Sequence, residues 1–223
     1  MKAKYFIKTV LTSLIFPVIL FFSAWKIDYI QGYFFLFANV FTALMNFWTI
    51  KNDTELMSER SKVGKDSKSW DKLILGLSGV TYLISVVIAG LDSGRFQWSP
   101  DFHWSIYLIG VVIMIIGQVI FLTARKENKY FSSVVRIQTD RGHTVCDTGI
   151  YKFVRHPGYF GMTISLAALP LLTGSVWSTI PIIIAIILLF IRTYLEDETL
   201  KKELTGYSDY AQKTRQRIIP KIW

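Results

Sequence analysis

The sequence predicts an all-α integral membrane protein of about six transmembrane helices, the last two forming a tight helical hairpin, with a cytoplasmic C-terminal helix after them. Three observations carry that expectation. The chain of 223 residues is 52% hydrophobic and 15% aromatic, above the apolar usage of soluble domains. Its apolar residues fall into runs near the roughly 20 residues that a bilayer core requires. Its basic residues gather in alternate gaps between those runs, the pattern that orients a multi-pass protein.

Taken in order, apolar runs at about 5–25, 30–50, 73–91 and 104–123 read as four spans. The first follows a lysine-bearing start that looks like a signal peptide. No small-x-small cleavage site follows it, however, and the run is long enough to span, so it is kept as a helix. A shorter run from Tyr159 to Leu172 and a full one from Val176 to Leu195 are separated only by Thr173, Gly174 and Ser175, which reads as a hairpin. Pro157 suits the first turn of the shorter arm, where its missing N–H has no partner in any case.

Of the 25 Lys and Arg residues, 23 lie before residue 9 or within 51–72, 124–156 and 192–223, while Lys26 and Arg95 occupy the alternate loops. Six spans with both termini cytoplasmic put nearly every cation on one face, and five would spoil the alternation. The net charge of +9 then points to anionic lipid headgroups and away from nucleic acid, because the cations do not line one patch. Two regions are expected: an N-terminal four-helix transmembrane region, 1–124, and a cofactor-binding region with the hairpin and a cytoplasmic tail, 125–223. The single cysteine, Cys146, can complete neither a disulfide nor a C-x-x-C site. That composition is compatible with a prokaryotic inner (cell) membrane.

Two polar constellations carry the chemistry. The first runs from Thr148 and Gly149 through Tyr151, Arg155, His156, Pro157, Gly158 and Tyr159 to Gly161, ending where a membrane helix starts. Unpaired N–H groups and the positive helix end there make a seat for a carboxylate or phosphate, or else a basic collar that only touches lipid phosphate. The second is Arg192 with Glu196, Asp197 and Glu198, where an apolar helix emerges into water. Arg192 and Glu196 share a face at i, i+4, and charges at membrane depth tend to be paired and functional, although an ordinary exposed charge pair has the same spacing. A tight hairpin returns Arg192–Asp197 to the face from which His156–Tyr159 departs, so both sets are expected to line one pocket. Asn39, Asn46 and Gln118 are expected to form interhelical hydrogen bonds, and His103 to be interfacial. His143 is a loop histidine within reach of a cofactor. No zinc-ligand spacing is present, so no metal is expected. Walker, G-x-S-x-G and G-x-G-x-x-G motifs are all missing.

These residues give the chain a resemblance to the isoprenylcysteine carboxyl methyltransferase family, within the wider group that includes membrane phospholipid methyltransferases. The likeness covers roughly residues 125–223. It rests on Gly149-Ile150-Tyr151, on Arg155-His156-Pro157-Gly158-Tyr159-Phe160-Gly161, on Arg192 with Glu196-Asp197 and Leu200, and on Tyr207, Tyr210 and Arg215. Ile150 stands where the family has proline, and Asp197 where it has a second glutamate.

The resemblance implies an S-adenosylmethionine pocket on the cytoplasmic side with a lateral opening to lipid. Gly149, Tyr151, Arg155, His156, Pro157, Tyr159, Gly161, Glu196 and Asp197 would bind the cofactor, with Arg192 and Glu196 catalytic. Carboxylates suit the cofactor's cations, and the helix N-terminus suits its carboxylate. Tyr151, Tyr159 and Phe160 offer faces to adenine or to the sulfonium. The partner is a lipophilic or lipidated acceptor: a carboxylate for O-methylation, or a lipid amine for N-methylation. Two further readings are an NADPH-dependent reductase of the sterol type, which carries a similar Arg-His-Pro-x-Tyr turn, and a non-enzymatic membrane scaffold. The segment 55–62 would either cover the pocket as a lid or lie on headgroups.

Overall fold

The computed structural model describes residues 2–51 and 67–223, so the expected lid segment lies outside the described residues. Among the described residues the chain is helical and has no strand. Four long helices come first: α1 (Lys2–Ala24), α2 (Ile30–Ile50), α3 (Ser69–Ala89), which continues as a π-helix over Gly90–Phe96, and α4 (Trp104–Glu127). Two 3₁₀ turns, Thr139–Arg141 and Gly149–Lys152, mark the long connection that follows. After it come α5 (Pro157–Ala167), α6 (Leu169–Thr173), α7 (Thr179–Glu203) and α8 (Tyr207–Lys213).

Five helical segments are long and apolar enough to cross a membrane: Tyr5–Ala24, Ile30–Ile50, Ser69–Phe96, Trp104–Glu127 and Thr179–Glu203. Between 17% and 33% of the most apolar stretch of each is buried within the protein. Leu11, Val18, Phe22, Trp48, Leu73, Ile116 and Ile187 point outward. Such a surface is stable only against lipid, and the chain is an integral membrane protein. The sixth expected span is instead the shorter apolar helix Pro157–Thr173. At 1.5 Å per residue it reaches roughly 25 Å, less than the bilayer core of about 30 Å. It is also broken at Ala168, because Pro170 has no N–H to continue the ladder and its ring excludes the carbonyl one turn back.

The connection between the arms, Gly174–Ser178, is short, and Gly174 caps α6 in the left-handed region at φ +65°. A polar cluster fastens this end. Asp92, fully buried, accepts from the Ser99 amide (2.7 Å), the Ser99 hydroxyl (2.6 Å) and the Ser175 hydroxyl (2.6 Å). Ser93 donates to the Thr173 carbonyl at 2.5 Å. Beneath it, Leu20, Phe35, Val86, Leu169, Leu172 and Ile182 form the core.

The hairpin docks on α4 through glycine. A Cβ on Gly161 would lie 2.5 Å from the Gly117 carbonyl and 2.6 Å from the Phe121 amide. Backbones approach that closely only where side chains are missing, so Gly161 packs helices and does not line the cavity described below. The polar residues expected between helices divide. Asn46 accepts from Arg125 across to α4 at 2.8 Å. Asn39 donates within its own helix, to the Phe35 carbonyl. The Gln118 amide nitrogen makes no hydrogen bond among the described residues. His103 caps α4, its Nδ1 2.9 Å from the Ser105 hydroxyl.

Candidate active site

At the opposite end, α5 starts at Pro157 while α7 runs out past Glu196, so the two polar constellations meet. Tyr159 donates to Glu196. The Tyr159 ring stacks on His156 at 15° with centroids 5.7 Å apart, and Arg192 lies 5.2 Å from its centroid. One cavity of about 250 Å³ adjoins this group. Its wall includes Tyr151, Arg155, His156, Tyr159, Arg192 and Glu196. Phe121 and Phe131 add aromatic surface, and Tyr207 and Tyr210 close it from the tail.

Arg155 and His156 reach the cavity from a turn held by the C-terminal tail. Their amides donate to the carbonyls of Gln216 (2.9 Å) and Arg217 (2.8 Å). The Arg155 guanidinium grips Asp197 with two parallel bonds, 2.7 and 2.8 Å, and donates to the carbonyls of Thr214 and Arg215. Asp197 also accepts from Tyr207 (2.9 Å) and Arg217 (3.0 Å), and lies 3.3 Å from His156 and 3.1 Å from Lys201. Burial opposes the Arg155 charge, but the Asp197 contacts prevail and its pKa is raised. The carboxylate is fully buried and does not line the cavity.

The expected acidic pair therefore splits: Glu196 faces the cavity, and Asp197 ties the turn to the tail. Gly149, Pro157, Phe160 and Gly161 are likewise not in the cavity wall. Pro157 starts α5. Gly149, at φ +52°, sits where a Cβ would press on the Glu127 carboxylate at 2.7 Å, and it begins the turn that presents Tyr151.

Arg192 has a partner that the spacing did not suggest. Its Nε donates to Asp71 Oδ1 at 2.7 Å, and no ion pair joins it to Glu196 among the described residues. Asp71 is a lone acidic residue at the start of α3, 121 residues away in the chain, and nothing local marks it. Arg217 was missed as well, since the resemblance singled out Arg215.

The phenols of Tyr151, Tyr207 and Tyr210 are pushed up by burial, and Asp197 raises Tyr207 further, so they remain neutral hydrogen-bonding groups. The Cys146 thiol is also pushed up by burial, which keeps it from acting as a thiolate. His143 is pushed down to about 4 by burial and by Arg136 and Arg141. It is therefore neutral, in keeping with its Nδ1 accepting from the Gln138 amide at 3.3 Å. Among the described residues no group of three or more His, Cys, Asp or Glu side chains is placed to hold a metal.

The donor set fits S-adenosylmethionine. One carboxylate, Glu196, and the faces of Tyr151, Tyr159 and Phe131 surround the cavity, which suits a sulfonium, an amine and an adenine ring. Comparison with known proteins bears on the same stretch. Residues 107–202 match the family model described as the isoprenylcysteine carboxyl methyltransferase (ICMT) family. The match begins within α4, earlier than the resemblance in the sequence, and ends before the tail tyrosines.

A probable protein-S-isoprenylcysteine O-methyltransferase of Oryza sativa subsp. indica is 29% identical over 119 residues, covering 52% of this chain and 62% of the relative. Protein-S-isoprenylcysteine O-methyltransferase B of Arabidopsis thaliana is 25% identical over 114 residues, covering 50% and 58%. Protein-S-isoprenylcysteine O-methyltransferase of Schizosaccharomyces pombe is 26% identical over 209 residues, covering 88% and 87%. The chain thus spans less than two thirds of the rice relative's length. These relatives are plant and yeast proteins and lend no support to the prokaryotic membrane expected from composition. Over residues 107–202, which carry the Arg155–Tyr159 turn and the Arg192–Glu196 helix, this chain is similar to the isoprenylcysteine carboxyl methyltransferase family.

Proposed function

We propose that this protein is an S-adenosylmethionine-dependent membrane methyltransferase that esterifies the carboxylate of a lipidated, isoprenylcysteine-like acceptor at the cytoplasmic face. The observation that carries the proposal is the single cavity on which Glu196, Arg192 and the tyrosines converge, within the part of the chain that matches the family. Cations crowd the same end, which supports a cytoplasmic orientation.

When bound, S-adenosylmethionine supplies a sulfonium methyl group, whose transfer forms a C–O bond at the acceptor carboxylate, breaks the S–CH₃ bond and leaves a neutral thioether. The nucleophile is already ionised, so no proton has to move, and the residues act by placement. Glu196 offers negative charge to the cationic centre and is fixed by the Tyr159 hydroxyl. Arg192, buried and facing the cavity, orients the acceptor carboxylate. Phe121 and Phe131 present apolar surface that excludes water. A cation at Arg192 favours an anionic acceptor over a lipid amine.

The test is transfer of labelled methyl from S-adenosylmethionine to N-acetyl-S-farnesylcysteine, with phosphatidylethanolamine as the competing amine acceptor. Label should appear as the farnesylcysteine methyl ester and fall by about 100-fold in Arg192→Ala, the typical cost of losing a preorganised cation or donor. Label on the amine lipid would overturn O-methylation. Transfer to neither would overturn the methyltransferase reading.

A further inference from the structure

We infer that Asp71, at the start of α3 and outside the stretch that matches the family, is a positioning residue that sets the Arg192 guanidinium for an acceptor carboxylate. The inference rests on the methyltransferase reading for the identity of the acceptor. Asp71 is fully buried, and its two oxygens serve two walls of the cavity. Oδ1 accepts from Arg192 Nε at 2.7 Å, and Oδ2 accepts from the Val135 amide at 2.8 Å.

The loop carrying Val135 holds Arg192 a second time, through the Ser133 carbonyl, 3.1 Å from Nη2. The Tyr159 ring lies against the guanidinium at 5.2 Å. These contacts fix the plane of the fork from three sides. Arg192 Nη1 makes no hydrogen bond among the described residues, although the side chain is buried and lines the cavity. That nitrogen is left to meet a ligand in the cavity, and an entering carboxylate can accept a charge-assisted hydrogen bond from it.

A carboxylate at position 71 accepts from both donors, whereas an amide has one acceptor oxygen and turns its NH₂ toward the other. The experiment measures binding of N-acetyl-S-farnesylcysteine and of its methyl ester to protein loaded with S-adenosylhomocysteine. The parent should prefer the acid. In Asp71→Asn that preference should fall by about tenfold, the scale of one charge-assisted hydrogen bond, with S-adenosylhomocysteine affinity kept.

Asp71→Glu, which keeps charge and both oxygens but displaces the fork by a methylene, should show an intermediate loss. It is the variant to read if the amide does not fold. A merely structural salt bridge would weaken acid and ester together, and that result, or an acid-to-ester ratio equal to the parent's in both variants, would overturn the inference. A parent that binds no S-adenosylhomocysteine would instead remove the methyltransferase reading, and this inference with it.

Discussion

Glu196 and Asp197 stand next to each other on α7 in opposite surroundings, because successive residues on a helix point about 100° apart. Glu196 looks into the cavity, while Asp197 turns beneath it to Arg155, Arg217, Lys201, Tyr207 and His156. The sequence shows an acidic pair, but it does not show the phase of the helix, which decides which carboxylate meets a ligand.

Asp197→Ala should destabilise the fold by about 3–5 kcal/mol, since it strands buried guanidinium groups. A thermal midpoint unchanged from the parent would refute its role as the tie between turn and tail. His143 gives a pH signature. Its folded pKa of about 4 lies below the ordinary 6.5, so between those values the unfolded chain binds more protons and stability rises with pH. The contribution is complete above about pH 6.5 and is lost as pH falls toward 4. His143→Gln should shrink the drop in thermal midpoint between pH 7 and pH 5, and an unaltered drop would show that other groups cause it.

The hairpin was legible as an element because Thr173, Gly174 and Ser175 leave room only for a tight return, and that return brings Tyr159 and Glu196 together. Its short arm was legible in length but not in its break at Ala168. Pro170 was visible, yet whether proline kinks a helix or ends it depends on the neighbours that accept the freed carbonyls. Gly161 was read as part of a ligand turn, since glycine allows close approach by ligand or helix alike, and sequence does not say which. The partner is Gly117, on α4. Gly161→Ala should therefore force α4 and α5 apart and cost about 1–3 kcal/mol. Gly79→Ala, with open space around its Cβ, should be neutral or slightly stabilising. Equal thermal midpoints for the two variants would contradict the close crossing.

For the whole molecule, one cavity is walled from both sides of the expected boundary near residue 124, by Leu75 and Phe121 as well as by Tyr151 and Glu196. Spans were legible because lipid selects for length and apolarity alone. The Asp71–Arg192 contact was not, because pairing across 121 residues is fixed by tertiary packing and leaves no local spacing to read. In the proposed function this cavity is the site for S-adenosylmethionine, with Glu196 as its carboxylate. The most direct measurement is calorimetric titration of S-adenosylhomocysteine, and of NADPH in parallel, into detergent-purified protein and its Glu196→Ala variant. Saturable binding of S-adenosylhomocysteine is expected, weakened at least about tenfold by the substitution, with none of NADPH. NADPH binding without S-adenosylhomocysteine binding, or equal binding by parent and variant, would contradict it.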